Sequence, residues 1–511
     1  MMTEKGPIFE DDGRVGALYH KNTQDELDAR INAFTPAEQK KIIRRVDRRL
    51  VPIVGFLYCI SLLDRNNLGV TNIAGMGTDL ALSGTRYSLI ALLFYVGYTI
   101  FQPIGVVLIR IVGPRIFLSS ICLLWGIVMI CFGFVKTWSD LIPLRIILGA
   151  FEAGLFPGCV YFLSCWYLRY ETQERFAGFY VIGSFVSGFS GIIGYGFSQL
   201  ETHGSGPAWW GQHYGPTEAN PNIKPGVLPG IAGWRWIFIL YGTITCLVAG
   251  VTSIFLVDFP EKTKACFPKF LSEHEVDFLV ARIEKERGDV VPEPFHLGTY
   301  LRAGLDLKVW AYASLFGLAT ITVIASVTFL PIILNQGMGF GIVASQCLTA
   351  PPYVFACMVI LLQGRLGDRY QLRSPLLALN CCGLFVGLAL LGYAHAPGVR
   401  YFGAFLATAM SQANIPCILA WQANNVRGQW KRAFTSAAVV GAGGLGGIIG
   451  SLVFRLRDAP LYRPGIWACM TANGLILLII PMLLVKFYRA NRRSSRGGKL
   501  IQQMEGFMYT Y

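Results

Sequence analysis

The sequence contains a long series of apolar stretches, each close to the length that crosses a lipid bilayer. They recur between Leu50 and Lys486, and many approach the roughly 20 residues that a membrane-spanning helix needs. Of the 511 residues, 53% are hydrophobic and only 14% are charged. A soluble protein of this size needs more charge to cover its surface, whereas lipid requires no such covering. The sequence therefore predicts an all-α integral membrane protein with many spans.

The apolar stretches divide into twelve predicted helices, which we number as spans 1 to 12. Spans 1 to 6 are predicted at 50–73, 87–109, 116–135, 141–165, 176–200 and 234–257. Spans 7 to 12 are predicted at 309–334, 343–362, 375–393, 401–424, 434–452 and 466–487.

A long polar segment separates the two sets of six. The prediction is therefore two six-helix bundles at 50–257 and 308–487, a linker at 258–307, and tails at 1–49 and 488–511. Two repeated halves are a recurring plan for membrane transporters, and their binding sites lie between the halves near the bilayer midplane.

Basic residues cluster in alternate loops and predict the orientation of the chain. Lys and Arg remain on the cytoplasmic side of short loops, so both the 1–49 and the basic 488–511 tails are predicted to be cytoplasmic. Arg455, Arg457 and Arg463 are the exception, since they fall on the opposite side. This alternation accounts for the formal net charge of +14 without nucleic-acid binding. We expect a multi-pass protein of the plasma membrane.

The reactive residue types exclude several chemistries. Most of the 13 cysteines lie within apolar stretches, without metal-ligand spacing or a disulfide framework, and are expected to pack as small core residues. The six histidines lie in loops or at helix ends, which argues against a histidine proton relay inside the membrane. No cleavable signal peptide is recognisable in 1–49, so span 1 is expected to direct insertion. We predict no metal, no cofactor and no enzyme activity.

Three segments outside the polar site allow local predictions. Ser272 and Glu275 have capping-box spacing ahead of an i, i+3, i+4, i+7 apolar pattern, which predicts an amphipathic helix in the linker. Spans 5 and 11 are rich in small residues, including two GxxxG pairs in span 11, which predicts close helix packing. The outer loop at 201–232 has no periodicity. A lid, a flexible insertion and a gene-model artefact all fit it, and we favour the last two.

Four charged residues lie within predicted spans of the N-terminal half: Asp64 and Arg65 in span 1, and Arg145 and Glu152 in span 4. Charges in a bilayer cost about 2.5–3.5 kcal/mol or more, so they commonly mark function. We interpret Arg65 and Arg145 as carboxylate ligands, because a guanidinium binds a carboxylate through two parallel bonds and stays charged. Glu152 and Asp64 are interpreted as proton carriers.

Each of these interpretations has a structural alternative. Arg145 and Glu152 are seven residues apart and share nearly one helix face, so they can also form a static buried pair. Asp64 can instead pair with a loop. In span 10, Asn414, Trp421 and Asn425 share a face and are predicted to bind the rest of a substrate, although interhelical hydrogen bonding explains each of them equally well.

Several motifs together resemble one family. They are LDRNNLGVTNIAG at 63–75, RIILGAFEAGLFPG at 145–158, GWRWIFIL at 233–240, LTAPPYV at 348–354, GRLGDR at 364–369 and WQANNVRGQWKRA at 421–433. The chain resembles the major facilitator superfamily, within it the anion:cation symporter family, and particularly the fungal allantoate permease branch. The resemblance implies two packed six-helix bundles, alternating access, and symport of protons with small carboxylates such as allantoate, nicotinate or pantothenate.

The resemblance also implies roles for individual residues. The family's helix-1 arginine falls on Arg65, and its helix-4 arginine and glutamate fall on Arg145 and Glu152. Its gating motif is represented by Gly364, Asp368 and Arg369. The corresponding turn of the first half, GVVLIRIVGPR at 105–115, lacks the acidic residue of that motif.

These observations predict a monomeric, proton-coupled importer of a small organic anion, with the anion, protons and the lipid bilayer as its partners. A metabolite exporter or facilitator on the same fold is one alternative. A nutrient sensor that binds without transporting is another, although such sensors usually carry longer cytosolic extensions than 1–49 or 488–511.

Overall fold

The part of the chain that the structure, a computed structural model, describes is almost entirely helical. It comprises residues 26–82, 86–168, 170–201, 203, 208–211, 213–214, 226–227, 230–260, 262, 270–287, 296–334, 338–453, 461–496, 501 and 507–511. The predictions for Arg455, Arg457 and most of the 201–232 loop concern residues outside these ranges.

From Pro36 onward, sixteen helices longer than five residues are labelled α1 to α16 in chain order, and residues 26–32 ahead of them are also helical. The first half contains α1 Pro36–Thr71, α2 Arg86–Val112, α3 Pro114–Phe132, α4 Leu141–Glu152, α5 Leu155–Trp166, α6 Thr172–Ser198 and α7 Gly233–Phe255. The linker contains α8 Glu273–Arg287 and α9 Leu297–Arg302. The second half contains α10 Leu307–Ile332, α11 Ile342–Cys347, α12 Ala350–Arg369, α13 Ser374–Tyr393, α14 Pro397–Asn425, α15 Gln429–Val453 and α16 Arg463–Ser494.

The twelve predicted spans are all present as helices. Eleven described stretches of helix are long and apolar enough to cross a membrane. Span 1, within α1, has the required length but is less apolar, because it carries the charged pair Asp64 and Arg65. Two spans are interrupted: span 4 is divided into α4 and α5, and α11 precedes the main helix α12 of span 8.

Helix α1 begins fourteen residues before the predicted start of span 1 at Leu50. Its first turn is closed by a capping box, in which the Thr35 side chain accepts from the Glu38 backbone N–H and the Glu38 carboxylate accepts from the Thr35 backbone N–H at 2.9 Å. These hydrogen bonds hold the pKa of Glu38 below its ordinary value. The basic residues that precede span 1 are therefore part of the same continuous helix.

Each half packs as a bundle, and several pairs of helices join the halves. In the first half α1 packs on α6, α2 on α4, and α3 on α7; in the second half α10 packs on α15, and α13 on α14. Between the halves, α6 packs on α12 and α2 packs on α15. The outward faces carry exposed apolar side chains such as Leu247 and Met482, as expected for surfaces in contact with lipid.

Glycines on α15 allow it to pack between two helices. A Cβ added at Gly443 would lie 2.5 Å from the Phe316 ring, and one at Gly446 would overlap the carbonyl oxygen of Gly317, both on α10. On the other side, Gly444 and Gly447 face α2. This agrees with the close packing predicted for the GxxxG pairs of span 11.

Gly446→Val should therefore lower the thermal unfolding temperature of the detergent-solubilised protein. The added side chain must displace the α10 backbone, and overpacking of this kind costs about 1–3 kcal/mol. Gly250→Val is the matched control, because a Cβ at Gly250 would meet nothing within 4 Å. Equal unfolding temperatures for the two variants would contradict the packing described here.

The linker and the outer loop are partly anchored. In the linker, the Ser272 backbone N–H donates to the Glu275 carboxylate at 2.8 Å, which forms the predicted cap of α8. In the outer loop, a short antiparallel pair joins β1 His213–Tyr214 to β2 Gly226–Val227. The Trp209 ring lies under the Arg235 guanidinium at 5.1 Å. The part of this loop that the structure describes is thus attached to the bundle.

Candidate functional site

A buried ion pair connects spans 1 and 4. Glu152 Oε1 accepts a hydrogen bond from Arg65 Nε at 2.5 Å and another from the Ser61 hydroxyl. Ser61 and Arg65 lie one turn apart on α1, so both point at the same carboxylate. The Glu152 side chain is 0% exposed and the Arg65 side chain 19% exposed. Glu152 is therefore paired with Arg65, and not with Arg145 as the seven-residue spacing suggested.

Close helix packing brings the aromatic residues of α2 to this pair. A Cβ at Gly149 of α4 would overlap the backbone of Phe94, so α2 and α4 approach closely. The Arg65 guanidinium lies 4.5 Å from the centre of the Tyr98 ring and 5.5 Å from that of Phe94. Such rings stabilise a cation that has been removed from water. Sequence analysis missed Ser61 and Tyr98, because nothing but spatial proximity marks them.

The pair retains unused hydrogen-bonding atoms. Arg65 Nη2 and Glu152 Oε2 are buried and have no hydrogen-bond partner among the described residues. Leaving buried polar atoms unpaired costs about 1–3 kcal/mol each. A donor and an acceptor of this kind, side by side, are suited to receive a ligand and a proton.

Arg145 is buried without an ion pair among the described residues. It is 2% exposed, and its Nε and Nη2 atoms have no hydrogen-bond partner in that part of the chain. Its guanidinium lies 4.9 Å from the centre of the Phe132 ring, and its charge interacts with those of Glu152 and Asp64. A buried guanidinium with unused donors and no ion pair among the described residues is suited to bind an anion.

Asp64 has a different environment from Glu152. Its Oδ2 atom accepts from Trp125 Nε1 at 3.0 Å and from Thr245 Oγ1 at 3.2 Å, and its Oδ1 atom accepts from Asn67 Nδ2 at 3.5 Å. These donors come from α3, α7 and α1, and not from a loop. Asp64 is thus held by hydrogen bonds within the N-terminal bundle, and none of its three partners binds Arg65 or Glu152.

The polar residues of span 10 fall into two groups. Asn414 and Asn424 are fully buried, and both amide atoms of each have no partner among the described residues. By contrast, Trp421 and Asn425 form hydrogen bonds with the backbone of Thr510, near the end of the sequence. Of the three predicted span 10 ligands, Asn414 is therefore the one whose polar atoms remain unused.

The predicted gating motif lies at a contact between the halves. The Asp368 carboxylate accepts from the backbone N–H groups of Glu174 at 2.7 Å and Gln173 at 3.4 Å, in the first turn of α6. It also pairs with Arg373 at 2.6 Å. A carboxylate at a helix N-terminus is favoured by the helix dipole. We call the end of the molecule that contains this contact, predicted to be cytoplasmic, the inner end.

The other gating residues serve this contact in different ways. A Cβ at Gly364 would lie 2.8 Å from the Ala177 side chain, so this glycine permits the approach of α12 to α6. Arg369 is the last residue of α12, and its guanidinium lies 5.6 Å from the centre of the neighbouring Tyr370 ring. The corresponding turn of the first half, 105–115, has no acidic residue of its own. An acidic residue from elsewhere in the chain lies beside it, because Asp258 Oδ1 is 2.7 Å from the position that a Cβ on Gly113 would occupy.

A second contact closes the inner end. Arg432 of α15 donates to the Ser164 hydroxyl of α5 and lies over the Tyr161 ring at 5.8 Å. Arg373 also donates to the Gln173 side chain. We call the residues of these two contacts the inner gate: Ser164, Gln173, Glu174, Asp368, Arg373 and Arg432. The halves are thus joined at the inner end in this conformation.

Two six-helix bundles around buried charges define the architecture of a multi-pass secondary transporter. The sequence profile of the Major Facilitator Superfamily matches residues 54–451, and the chain belongs to this family. It is a transporter and not an enzyme.

Individual relatives agree with this assignment. The chain is 30% identical to the MFS-type transporter cnsO of Penicillium expansum, over 93% of this chain and 88% of that protein. It is 29% identical to the high-affinity nicotinic acid transporter of Saccharomyces cerevisiae, over 84% of this chain and 74% of that protein. Among solved structures, the proton:xylose symporter XylE is similar with a TM-score of 0.61 at 14% identity, covering 86% of this chain and 96% of that one.

Proposed function

We propose that this transporter imports a small organic anion together with protons. The observation that carries the proposal is the Arg145 guanidinium, which is buried and has free donors in a site that already contains the Arg65–Glu152 pair. A carboxylate is the ligand that suits a guanidinium best, because two parallel N–H···O bonds satisfy both groups. The similarity to a nicotinic acid transporter points in the same direction.

The Arg65–Glu152 pair offers a physical route to coupling. When Glu152 is ionised, it occupies Arg65 Nε. Protonation of Glu152 removes the negative charge and so frees the Arg65 guanidinium to join Arg145 in binding a carboxylate. Loss of the proton restores the ion pair and expels the anion. Proton and anion therefore favour each other's binding, as thermodynamic linkage requires.

The second half is proposed to recognise the remainder of the anion. The unused amide of Asn414 can donate to and accept from a polar group on the substrate. A substrate with one carboxylate for the arginines and one small polar ring or amide for Asn414 fits this arrangement. Nicotinate is therefore the first compound to test. We further propose a monomer in the plasma membrane, with the inner gate and both ends of the chain in the cytoplasm.

Purified protein in vesicles should accumulate radiolabelled nicotinate, allantoate or pantothenate when an inward proton gradient is imposed. With one proton per monovalent anion, a gradient of one pH unit supports about ten-fold accumulation. Nicotinamide is the matched control for nicotinate, since it has the same ring without the negative charge, and it should not accumulate.

The rival functions give different results in the same vesicles. A facilitator equilibrates the anion without accumulating it, and a sensor binds the anion without moving it. Either result, for every carboxylate in a broad screen, would overturn the proposal of proton-coupled import.

A further inference from the structure

The last five residues of the sequence, Phe507–Tyr511, are packed against the second half at the inner end. We call them the tail segment. Phe507 is 5% exposed and Thr510 is 6% exposed. The sequence gives no periodicity or motif here, and 488–511 was expected to form only a basic tail.

The backbone of Thr510 is bound by two residues near the end of α14. Its N–H donates to Asn425 Oδ1 at 2.8 Å, and its carbonyl oxygen accepts from Asn425 Nδ2 at 3.1 Å and Trp421 Nε1 at 3.0 Å. One side-chain amide thus pairs with both the N–H and the C=O of a single residue, which leaves neither backbone polar atom of the buried Thr510 unpaired.

Tyr509 is bound in the same manner by α16. Its N–H donates to Asn491 Oδ1 at 2.8 Å, and its carbonyl oxygen accepts from Asn491 Nδ2 at 2.9 Å. Its ring stacks on Phe487 with a centroid distance of 4.6 Å, and its hydroxyl accepts from Lys308 Nζ of α10 at 2.7 Å. The tail segment therefore bridges α10, α14 and α16.

Two contacts of the tail segment lie close in sequence to residues of the inner gate. The Tyr511 carbonyl oxygen accepts weakly from the Ser374 N–H at 3.5 Å, and Ser374 follows the gate residue Arg373. Asn425 ends α14, and the turn that follows it leads to the gate residue Arg432.

Lys308 extends this connection through an acidic residue. Asp306 pairs with Lys308 at 3.4 Å and with Lys431, the neighbour of Arg432, at 2.7 Å. Burial acts to raise the pKa of Asp306, but Lys308 and Lys431 outweigh it and hold that pKa below its ordinary value. Asp306 is therefore ionised near neutral pH and, by pairing with both lysines, links the tail anchor Lys308 to Lys431.

We propose that the tail segment is an intramolecular ligand of the site formed by Lys308, Trp421, Asn425 and Asn491, and that its docking holds the inner gate closed. The segment fixes the inner ends of α10, α14 and α16. Of these helices, α14 leads through a short turn to Arg432, and α10 is linked through Asp306 to Lys431, the neighbour of Arg432. This inference does not depend on which substrate is carried.

A native cysteine reports on the gate. Cys165 Sγ lies 3.8 Å from Arg432 Nη2, so opening of the gate exposes this thiol. The experiment measures alkylation of Cys165 by a membrane-impermeant maleimide, quantified by peptide mass spectrometry, on the full-length protein in lipid nanodiscs. Cys469 is buried near the start of α16, at the opposite end of that helix from Asn491, and serves as the internal reference.

Thr510→Pro should raise the rate of Cys165 alkylation about five-fold, since it removes the N–H that Asn425 accepts and one net hydrogen bond corresponds to about that factor. Thr510→Val is the matched control, because it keeps the backbone N–H and loses only the 3.3 Å hydroxyl contact with Asn425. It should change the rate by less than about two-fold.

Asn491→Leu tests the same docking from the receptor side, on a helix that carries no gate residue. It should raise Cys165 alkylation as Thr510→Pro does, and the double variant should add little, because both changes remove one interaction. Unchanged Cys165 alkylation in both single variants would overturn the inference. An equal rise at Cys165 and Cys469 would also overturn it, because that pattern reports a general loss of structure.

Discussion

Glu152→Gln should abolish proton-driven accumulation of the transported anion while leaving exchange of anion across the membrane intact. Glutamine keeps the size of the side chain and its hydrogen-bonding capacity, but it cannot take up or release a proton. It therefore holds the site permanently in the form in which Arg65 is free for a carboxylate. In vesicles with a gradient of one pH unit, the accumulation ratio should fall from about ten to one.

Asp64→Asn is the matched control for this variant. Asp64 is also a buried carboxylate, but its oxygens accept from Trp125, Thr245 and Asn67. An asparagine at this position places an N–H₂ group among those donors, so stability should fall while accumulation persists. If Glu152→Gln still accumulates anion and Asp64→Asn does not, Asp64 is the proton carrier and the mechanism proposed here is wrong.

Most of the helical framework could be predicted from the sequence, because apolar length alone identifies a membrane span. The start of α1 was predicted too late, since the apolar pattern begins at Leu50 whereas the helix continues back to Pro36. The Thr35–Glu38 capping box was the available signal. The division of span 4 at Ala153 and Gly154 was not predicted. Both residues keep right-handed helical dihedral angles, and a Cβ at Gly154 would lie 2.8 Å from the Phe117 ring of α3, a contact that only packing between helices sets.

The residues of the site were identifiable, but their pairing was not. Arg65, Arg145 and Glu152 are conspicuous as charges in apolar spans. Which arginine binds Glu152 depends on the rotation of α1 against α4, and packing between helices sets that rotation. The seven-residue spacing of Arg145 and Glu152 along one helix contains no information about that rotation.

The tail segment lay beyond sequence reasoning for a related physical reason. Its binding relies on backbone groups of Tyr509 and Thr510, which every residue except proline possesses. Asn425 is 85 residues from Thr510 and Asn491 is 18 residues from Tyr509, and no periodic pattern relates these receptors to the tail segment. Trp421 and Asn425 were consequently interpreted as substrate ligands, and the structure gives them a different partner.

Arg145→Gln should weaken binding of the transported anion by about 10- to 100-fold, because hydrogen bonds to a charged group contribute about 1.5–3 kcal/mol. The measurement is the KM for uptake under a fixed proton gradient, together with the Kd from a binding assay. Arg145→Lys should give an intermediate value. Lysine restores the charge but not the two parallel donors that a guanidinium presents to a carboxylate.

Arg235→Gln is the control, since Arg235 is likewise a buried arginine of the N-terminal half that lies over an aromatic ring. Its Nη1 atom donates to the backbone carbonyls of Gly133 and Val135 at 2.8 and 2.9 Å, so its role is to hold the outer end of the bundle. The control should lose thermal stability without a change in KM. Equal effects of the two substitutions on KM, or an unchanged KM in Arg145→Gln, would show that Arg145 does not bind the anion. The proposal that the substrate is an anion would then lose the observation on which it mainly rests.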